Sequence, residues 1–291
     1  MLSREVIASL ERLGIDVVRT SSRVSGGDIS RAYRVETSKG PIFVKLETRE
    51  EAARLYAEAE GLDAISRTGA VAVPAVLARG VAGAHAFLAL EWLSLGPKTV
   101  DAERRLGAAL AAMHATTAER FGWPSDNYIG RTPQANAPTS SWIEFFRERR
   151  LRPQLALAAR RGIGSAVVAR GETLLASLDD LLADHAPVPS LVHGDLWSGN
   201  WGASADGTPC LFDPAIHYAD REVDLAMTRL FGGFGDAFYR AYDEAWPPAP
   251  GRERRVDLYN LYHLLNHFNL FGAGYRSAVA ACIDRVLSRL P

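Results

Sequence analysis

HGDLWSGN, residues 193–200, places a histidine, a carboxylate, a tryptophan, a serine and an amide in eight residues, directly after the apolar pair Leu191 and Val192. Asp195 and Asn200 are five residues apart, and Asp213 lies thirteen beyond Asn200. The stretch between, WGASADGTPCLF (201–212), has a turn signal at Asp206-Gly207 between two arms with apolar residues. It is expected to fold as a hairpin that returns Asp213 to the side of Asn200. A lone loop aspartate is more often a cap or turn former than a base. An aspartate, an asparagine and a returning aspartate are, as a set, what phosphoryl transfer needs. The first can accept the proton of an attacking hydroxyl, and the other two are hard oxygen ligands for Mg2+ on nucleotide phosphates. Such oxygens suit that ion better than a softer metal.

A kinase of this design also needs a cation on the phosphates, and Lys45 is suitable. It lies in PIFVKLE (41–47), whose β-branched and aromatic content marks a strand, and by the period of two it shares a face with Phe43. A lysine turned into a cleft is costly unless paired. The helical stretch that follows, 48–69, has Thr48 placed to cap it and Gly69 to end it, and it offers Glu58 and Glu60. Glu58 is the preferred partner and Glu60 the alternative. Upstream, the turn 25–30 carries Gly26 and Gly27, which would let backbone N–H groups approach a phosphate. Neither GxxxxGK[ST] nor a full GxGxxG is present there.

The rest of the chain divides around these motifs. A helix over 1–13, with Val6, Ile7, Leu10 and Leu13 at helical spacing, precedes strands at 17–24, 31–37 and 41–47. AVPAVLARG and HAFLALEWL read as two further strands, and the Leu-Gly-Pro that follows marks a break around 94–98. Beyond Thr99 the pattern is mainly helical: 100–119, 141–160, 165–185, 222–230, 234–245 and 253–289, the last interrupted near Gly272 and Gly274. The expected fold class is α+β and bilobal. Residues 1–93 form a small antiparallel-sheet N-lobe with one main helix that binds nucleotide; residues 94–291 form a larger, mainly helical C-lobe with the catalytic loop and acceptor site.

Composition narrows the classes of partner. The chain has 291 residues, is 47% hydrophobic and carries a formal net charge of −1, so it can bury a large core but has no electrostatic footprint for nucleic acid. No basic amphipathic block points to a membrane surface, and no apolar run reaches spanning length. The charged N-terminal stretch is unlike a signal peptide. Two cysteines, Cys210 and Cys282, make no disulfide framework. A cytoplasmic protein is expected.

HGDLWSGN together with FDPA (212–215), REVDLAM (221–227) and FGGF (231–234) resembles the fructosamine kinase (ketosamine-3-kinase) family, within the aminoglycoside phosphotransferase and choline kinase group of protein-kinase-like folds. GGDISRAYRVET with GPIFVKL, EAEGL, FGWPSDNYIG with TPQAN, WIEFFRERRL and LYHLLNHFNLFGAGY extend the likeness from about residue 24 to 275. The Trp-Ser pair after HGDL is the informative detail, because related small-molecule kinases usually differ there.

The resemblance implies ATP-dependent phosphorylation of a sugar hydroxyl, O3, on a ketoamine, either a small molecule or a glycated protein lysine. It makes Asp195 the catalytic base, Asn200 and Asp213 the Mg2+ ligands, Lys45 the phosphate-binding lysine and Glu58 its partner. Leu90-Glu91-Trp92-Leu93 aligns with the hinge that hydrogen-bonds adenine through its backbone, which points to Glu91 and Leu93. Many family members have a cysteine where this chain has Asp28, so redox control through a loop thiol is not expected here. The acceptor alternatives are an aminoglycoside or a choline-like amine; a different class is a nucleotide-binding module without catalysis.

Other residues have quieter readings. His193 is expected to order the loop, and Glu222 and Asp224 to cap a helix and brace that loop. Trp197, between base and metal ligand, reads as a substrate wall. His263 and His267 have metal-ligand spacing, but no HExxH or third ligand accompanies them, and a packed helix face is expected. Trp142, Phe145 and Phe146 read as core, the arginines at 147–161 as a solvated helix face, and Cys210 as a buried small hydrophobe.

Overall fold

A computed structural model gives the fold; it describes residues 2–24 and 31–290. The 25–30 turn with Gly26, Gly27 and Asp28 lies outside the described residues. Helix α1 (Arg4–Arg12) is capped by Ser3 and leads into strands β1 (Val17–Val24), β2 (Arg31–Thr37) and β3 (Gly40–Thr48). Helix α2 (Ala52–Thr68) and strands β4 (Val76–Ala82) and β5 (His85–Glu91) follow. The strands form one antiparallel sheet in the order β1-β2-β3-β5-β4.

The period of two in β3 sorts its side chains between two layers. Ile42, Val44 and Leu46 join Leu2, Val6 and Leu10 beneath α1. Phe43 lies on the other side, against Leu55, Ala59 and Leu62 of α2, and Lys45 shares that face. Thr48 ends β3 in extended backbone and makes no side-chain cap bond; a 3-10 turn, Arg49–Glu51, starts the helical run instead. Gly69 closes α2 in the left-handed conformation.

Strand β6 (Leu95–Gly96) occupies the stretch read as a break, and helix α3 (Val100–His114) follows it. Next come strands β7 (Asn127–Ile129) and β8 (Thr132–Gln134), helix α4 (Trp142–Phe145), a π-helical turn over Phe146–Leu151, helices α5 (Arg152–Arg160), α6 (Ser165–Ala176) and α7 (Leu178–Leu181), and strand β9 (Ser190–Val192). Strands β10 (Trp201–Ser204), β11 (Pro209–Leu211) and β12 (His217–Ala219) lead to helices α8 (Glu222–Leu230), α9 (Asp236–Ala245), α10 (Arg252–Phe271) and α11 (Arg276–Leu287). The α+β class is as expected: a sheet-rich part and a mainly helical one.

Small sheets tie the helical part together. β10 pairs with β11 and, on its other edge, with β6, so the connection between the two parts is stitched to the β10–β11 hairpin. β9 pairs with β12, His217 opposite Val192. No helix among the described residues is long and apolar enough to cross a membrane.

The reading of 147–161 as a solvated face fails at Arg150. The π-helical turn rotates it inward, where it is 1% exposed and its guanidinium lies 4.5 Å from the Phe145 ring centroid. It donates to Ala135 O at 2.6 Å and to Asn136 Oδ1 at 2.7 Å. A helical wheel drawn with 3.6 residues per turn misplaces every residue beyond such a bulge. Trp142, Phe145 and Phe146 are core, as read. Arg150→Ala leaves two acceptors without their donor and a cavity behind. It should destabilise the fold by about 3 kcal/mol, measurable as a lower urea midpoint; an unchanged midpoint contradicts this packing role.

Candidate active site

The loop at 193–200 leaves β9 at the centre of the helical part, and its shape follows from few contacts. Gly194 has φ 82°, and a Cβ there would lie 2.2 Å from Ala215 O, so both conformation and space require glycine. Asp224, in the first turn of α8, accepts from His193 N at 2.7 Å and Gly194 N at 2.8 Å, while His114 Nε2 lies 3.1 Å from the same carboxylate. Burial works to raise this carboxyl, but the contacts with His114 and His193 and the Gly194 N–H hold it below its ordinary value. A buried anion thus braces the loop.

His193 Nδ1 accepts from Asp195 N at 3.2 Å, and its Nε2 lies 3.0 Å from Phe212 O. That pattern assigns the proton to Nε2, and burial keeps the ring neutral by lowering its pKa. The histidine joins the start of the loop to the end of the hairpin.

Asn200 turns its Nδ2 to Asp195, donating to the backbone carbonyl at 2.8 Å and to Oδ2 at 3.3 Å. Its own carbonyl accepts from Phe212 N at 3.1 Å, and Trp201 pairs with Leu211 across the β10–β11 hairpin. The chain therefore returns beside Asn200, and the next residue is Asp213. Asp213 has φ 58°, the one positive value outside glycine among the described residues, and its side chain is 48% exposed.

Lys45 meets this hairpin from the sheet. Its Nζ lies 2.7 Å from Glu58 Oε1 and donates to Asp213 Oδ1. Burial alone would lower the ammonium, but the carboxylates of Asp213 and Glu58 outweigh it and hold the pKa above the usual lysine range. Burial pushes Glu58 up to about 7 although Lys45 opposes it, and Asp213 adds to the rise. Asp195, half-buried, is likewise raised to about 7, by burial first and then by the charges of Asp213 and Asp224, against the Asn200 amide. Glu60 does not reach Lys45; it accepts from Trp123 Nε1 at 2.7 Å and from Ser125 Oγ.

The remaining predicted positions spread around this centre. Trp197 is 39% exposed, and its ring lies over Gly199, where a Cβ would come within 2.2 Å of it. Glu91 closes β5 with its N–H on Ala75 O at 2.9 Å and its carboxylate accepting from Ala75 N. Leu93 follows, half-buried, between that strand and β6. Lys98 escaped the sequence reading: its Nζ donates to Ser198 O at 2.5 Å and lies 4.6 Å from the Trp201 ring centroid. No local pattern marks it, because its partners are about a hundred residues away.

Asn200 and Asp213 fit a hard cation by chemistry. The Asn200 amide nitrogen faces Asp195, so its oxygen is the end left for a ligand, and Asp213 retains Oδ2 beside the lysine. Another group, His185, Asp220 and Glu222, has donor atoms within 4.8 Å of one another. Its members already satisfy each other and their neighbours: Arg255 grips Glu222 twice, and Asp220 takes His185 and Tyr259. His263 and His267 lie on α10, with His267 Nδ1 2.8 Å from His263 O.

The chain is similar to known proteins in sequence and fold. The profile of the family described as fructosamine kinase matches residues 5–289. A Synechocystis sp. protein named "Probable ketoamine kinase" is 46% identical over 265 residues, covering 91% of this chain and 89% of its own. The chloroplastic protein-ribulosamine 3-kinase of Arabidopsis thaliana is 40% identical over 270 residues, covering 92% and 82%. Among solved structures, a Thermobifida fusca protein described as a "putative fructosamine-3-kinase" superposes with a TM-score of 0.88 at 37% identity, covering 99% of this chain and all of its own. The chain belongs to the fructosamine kinase family.

Proposed function

We propose that the chain transfers the terminal phosphoryl group of ATP to a sugar hydroxyl, O3, of a ketoamine, a fructosamine or ribulosamine on a small amine or on a protein lysine. The observation that carries this reading is the convergence of Asp195, Asn200, Asp213 and Lys45, drawn from a loop, a hairpin and a sheet. The names of the relatives support the acceptor class. In this reading residues 1–93 and 94–291 are the two lobes, the protein is cytoplasmic, and neither nucleic acid nor membrane takes part.

Each residue then has a task. Asp195 accepts the proton of the attacking hydroxyl as the new O–P bond forms and the bond to the departing ADP oxygen breaks. A carboxyl raised to about 7 is matched to that work near neutral pH. Lys45, held by Glu58, presents its ammonium to the phosphates. Mg2+ bound by Asn200 and Asp213 would neutralise phosphate charge. The Glu91 N–H is bonded to Ala75 O, so at this position the Glu91 carbonyl and the Leu93 N–H are the groups assigned to adenine. Trp197 supplies an aromatic wall for the acceptor. Positioning and charge account for most of the rate, since the transferring group needs little covalent help.

A panel of acceptors in an ATP-consumption assay, with the product identified by mass spectrometry and NMR, tests the reading. Fructosyl- and ribulosyl-lysine should be phosphorylated on O3; turnover of aminoglycosides or choline alone would contradict it. Asp195→Asn should lower kcat by about a thousandfold or more while nucleotide still binds; near-normal turnover would remove Asp195 from the role of base.

The same variant makes a stability prediction. An acid whose folded pKa is raised costs stability progressively as pH climbs from its unfolded value, near 4, to its folded one, about 7, because over that range the unfolded carboxyl ionises and the folded one does not; above it the cost is constant. Without Mg2+, Asp195→Asn should therefore be more stable than wild type by about 1–3 kcal/mol at pH 8, with the gain vanishing near pH 4. Thermal melts at the two pH values check this, and a gain independent of pH contradicts it.

A further inference from the structure

Glu58 and Glu60 are about 200° apart around α2, so they leave opposite faces of the helix. Glu58 turns to Lys45 and the sheet. Glu60 turns to the helical lobe, where Trp123 Nε1 donates to it at 2.7 Å and Ser125 Oγ lies 3.3 and 3.2 Å from its two oxygens. The next residue, Gly61, lies so near Pro214 that a Cβ would come within 2.9 Å of the proline ring, immediately after Asp213.

Trp123 is itself firmly held. Its ring stacks on Tyr218 with centroids 5.5 Å apart, and its backbone N–H donates to Asn136 O at 2.9 Å. Tyr218 lies in β12, opposite Leu191 in β9, the strand that runs directly into His193. The carboxylate of Glu60 thus ties α2 to the strand pair that carries the catalytic loop.

We propose that Glu60 is a positioning residue: by gripping Trp123 and Ser125 it pins α2 to the helical lobe, and so keeps Glu58 on Lys45 and Lys45 beside Asp213. The inference rests on the phosphotransferase reading for its effect on rate. The grip is local. Glu60 borders an open groove lined by Tyr56, Arg79, Ser125 and Asp126, so truncating it admits solvent and leaves no sealed void.

The test compares Glu60→Ala, Glu60→Gln, Glu58→Ala and the Glu58→Ala/Glu60→Ala double variant, using ATP and fructosyl-lysine. Glu60→Ala should lose about tenfold in kcat with the acceptor KM unchanged. Glu60→Gln, whose carbonyl still accepts from Trp123, should recover most of it. Because Glu60 acts through Glu58, the double variant should be no slower than Glu58→Ala. Wild-type turnover from Glu60→Ala, or a double variant that loses the product of the two single losses, overturns the proposal. Hydrogen exchange reads the same claim without any acceptor: amides of 52–68 should exchange faster in Glu60→Ala and as in wild type in Glu60→Gln, and unchanged exchange in Glu60→Ala also overturns it. Wild type that exchanges as expected but phosphorylates no ketoamine would instead count against the function proposed above.

Discussion

One ammonium, that of Lys45, lies between the carboxylates of Glu58 and Asp213, and the sheet-rich and helical parts meet through it. Withdrawing charges from water costs several kcal/mol per ion, and a buried pair of this kind is often no more stable than an apolar replacement. Its value is geometric. A strand, a helix and the end of a hairpin must all be in register for the three groups to meet, so the contact reports that the sheet-rich and helical parts are assembled. Burial first, and then the charge of Asp213, pushes Glu58 up; one cation for two anions also leaves excess negative charge, which a hard cation at the neighbouring oxygens would suit.

Around that contact the protein separates two carboxylates by environment. Asp224 is buried but surrounded by donors, so it stays ionised and fixes the backbone at His193 and Gly194. Asp195 has a single amide donor and two anionic neighbours, so its proton is held to about 7. The first braces the loop and the second is the one we propose as base, from the same side-chain chemistry. His193, neutral and bonded at both nitrogens, keeps the two from drifting apart.

Much of this was legible in the residues. The alternation of β3 put Lys45 on the face of Phe43, and the turn at Asp206-Gly207 announced the hairpin that brings Asp213 back. What escaped depended on partners distant in sequence. The two-residue strand β6 has no signal of its own and exists because β10 offers an edge. Glu58 and Glu60 could not be separated by spacing, since either satisfies the chain length and only the docking of α2 decides which faces the sheet. Arg150 was misplaced because a π-helical turn shifts the helical period. The Gly26–Gly27 turn, read as a phosphate cradle, lies outside the described residues.

The claim that the Lys45 contact builds the phosphate site is tested most directly by calorimetric titration of ATP with and without Mg2+, into wild type and Lys45→Met. If Lys45 is held ready for the phosphates, wild type binds ATP in the presence of Mg2+ and Lys45→Met binds at least about tenfold more weakly, since loss of a charge-assisted contact is worth 1.4 kcal/mol or more. Equal affinity in the two proteins would mean that the ammonium serves the fold alone, and would contradict the account.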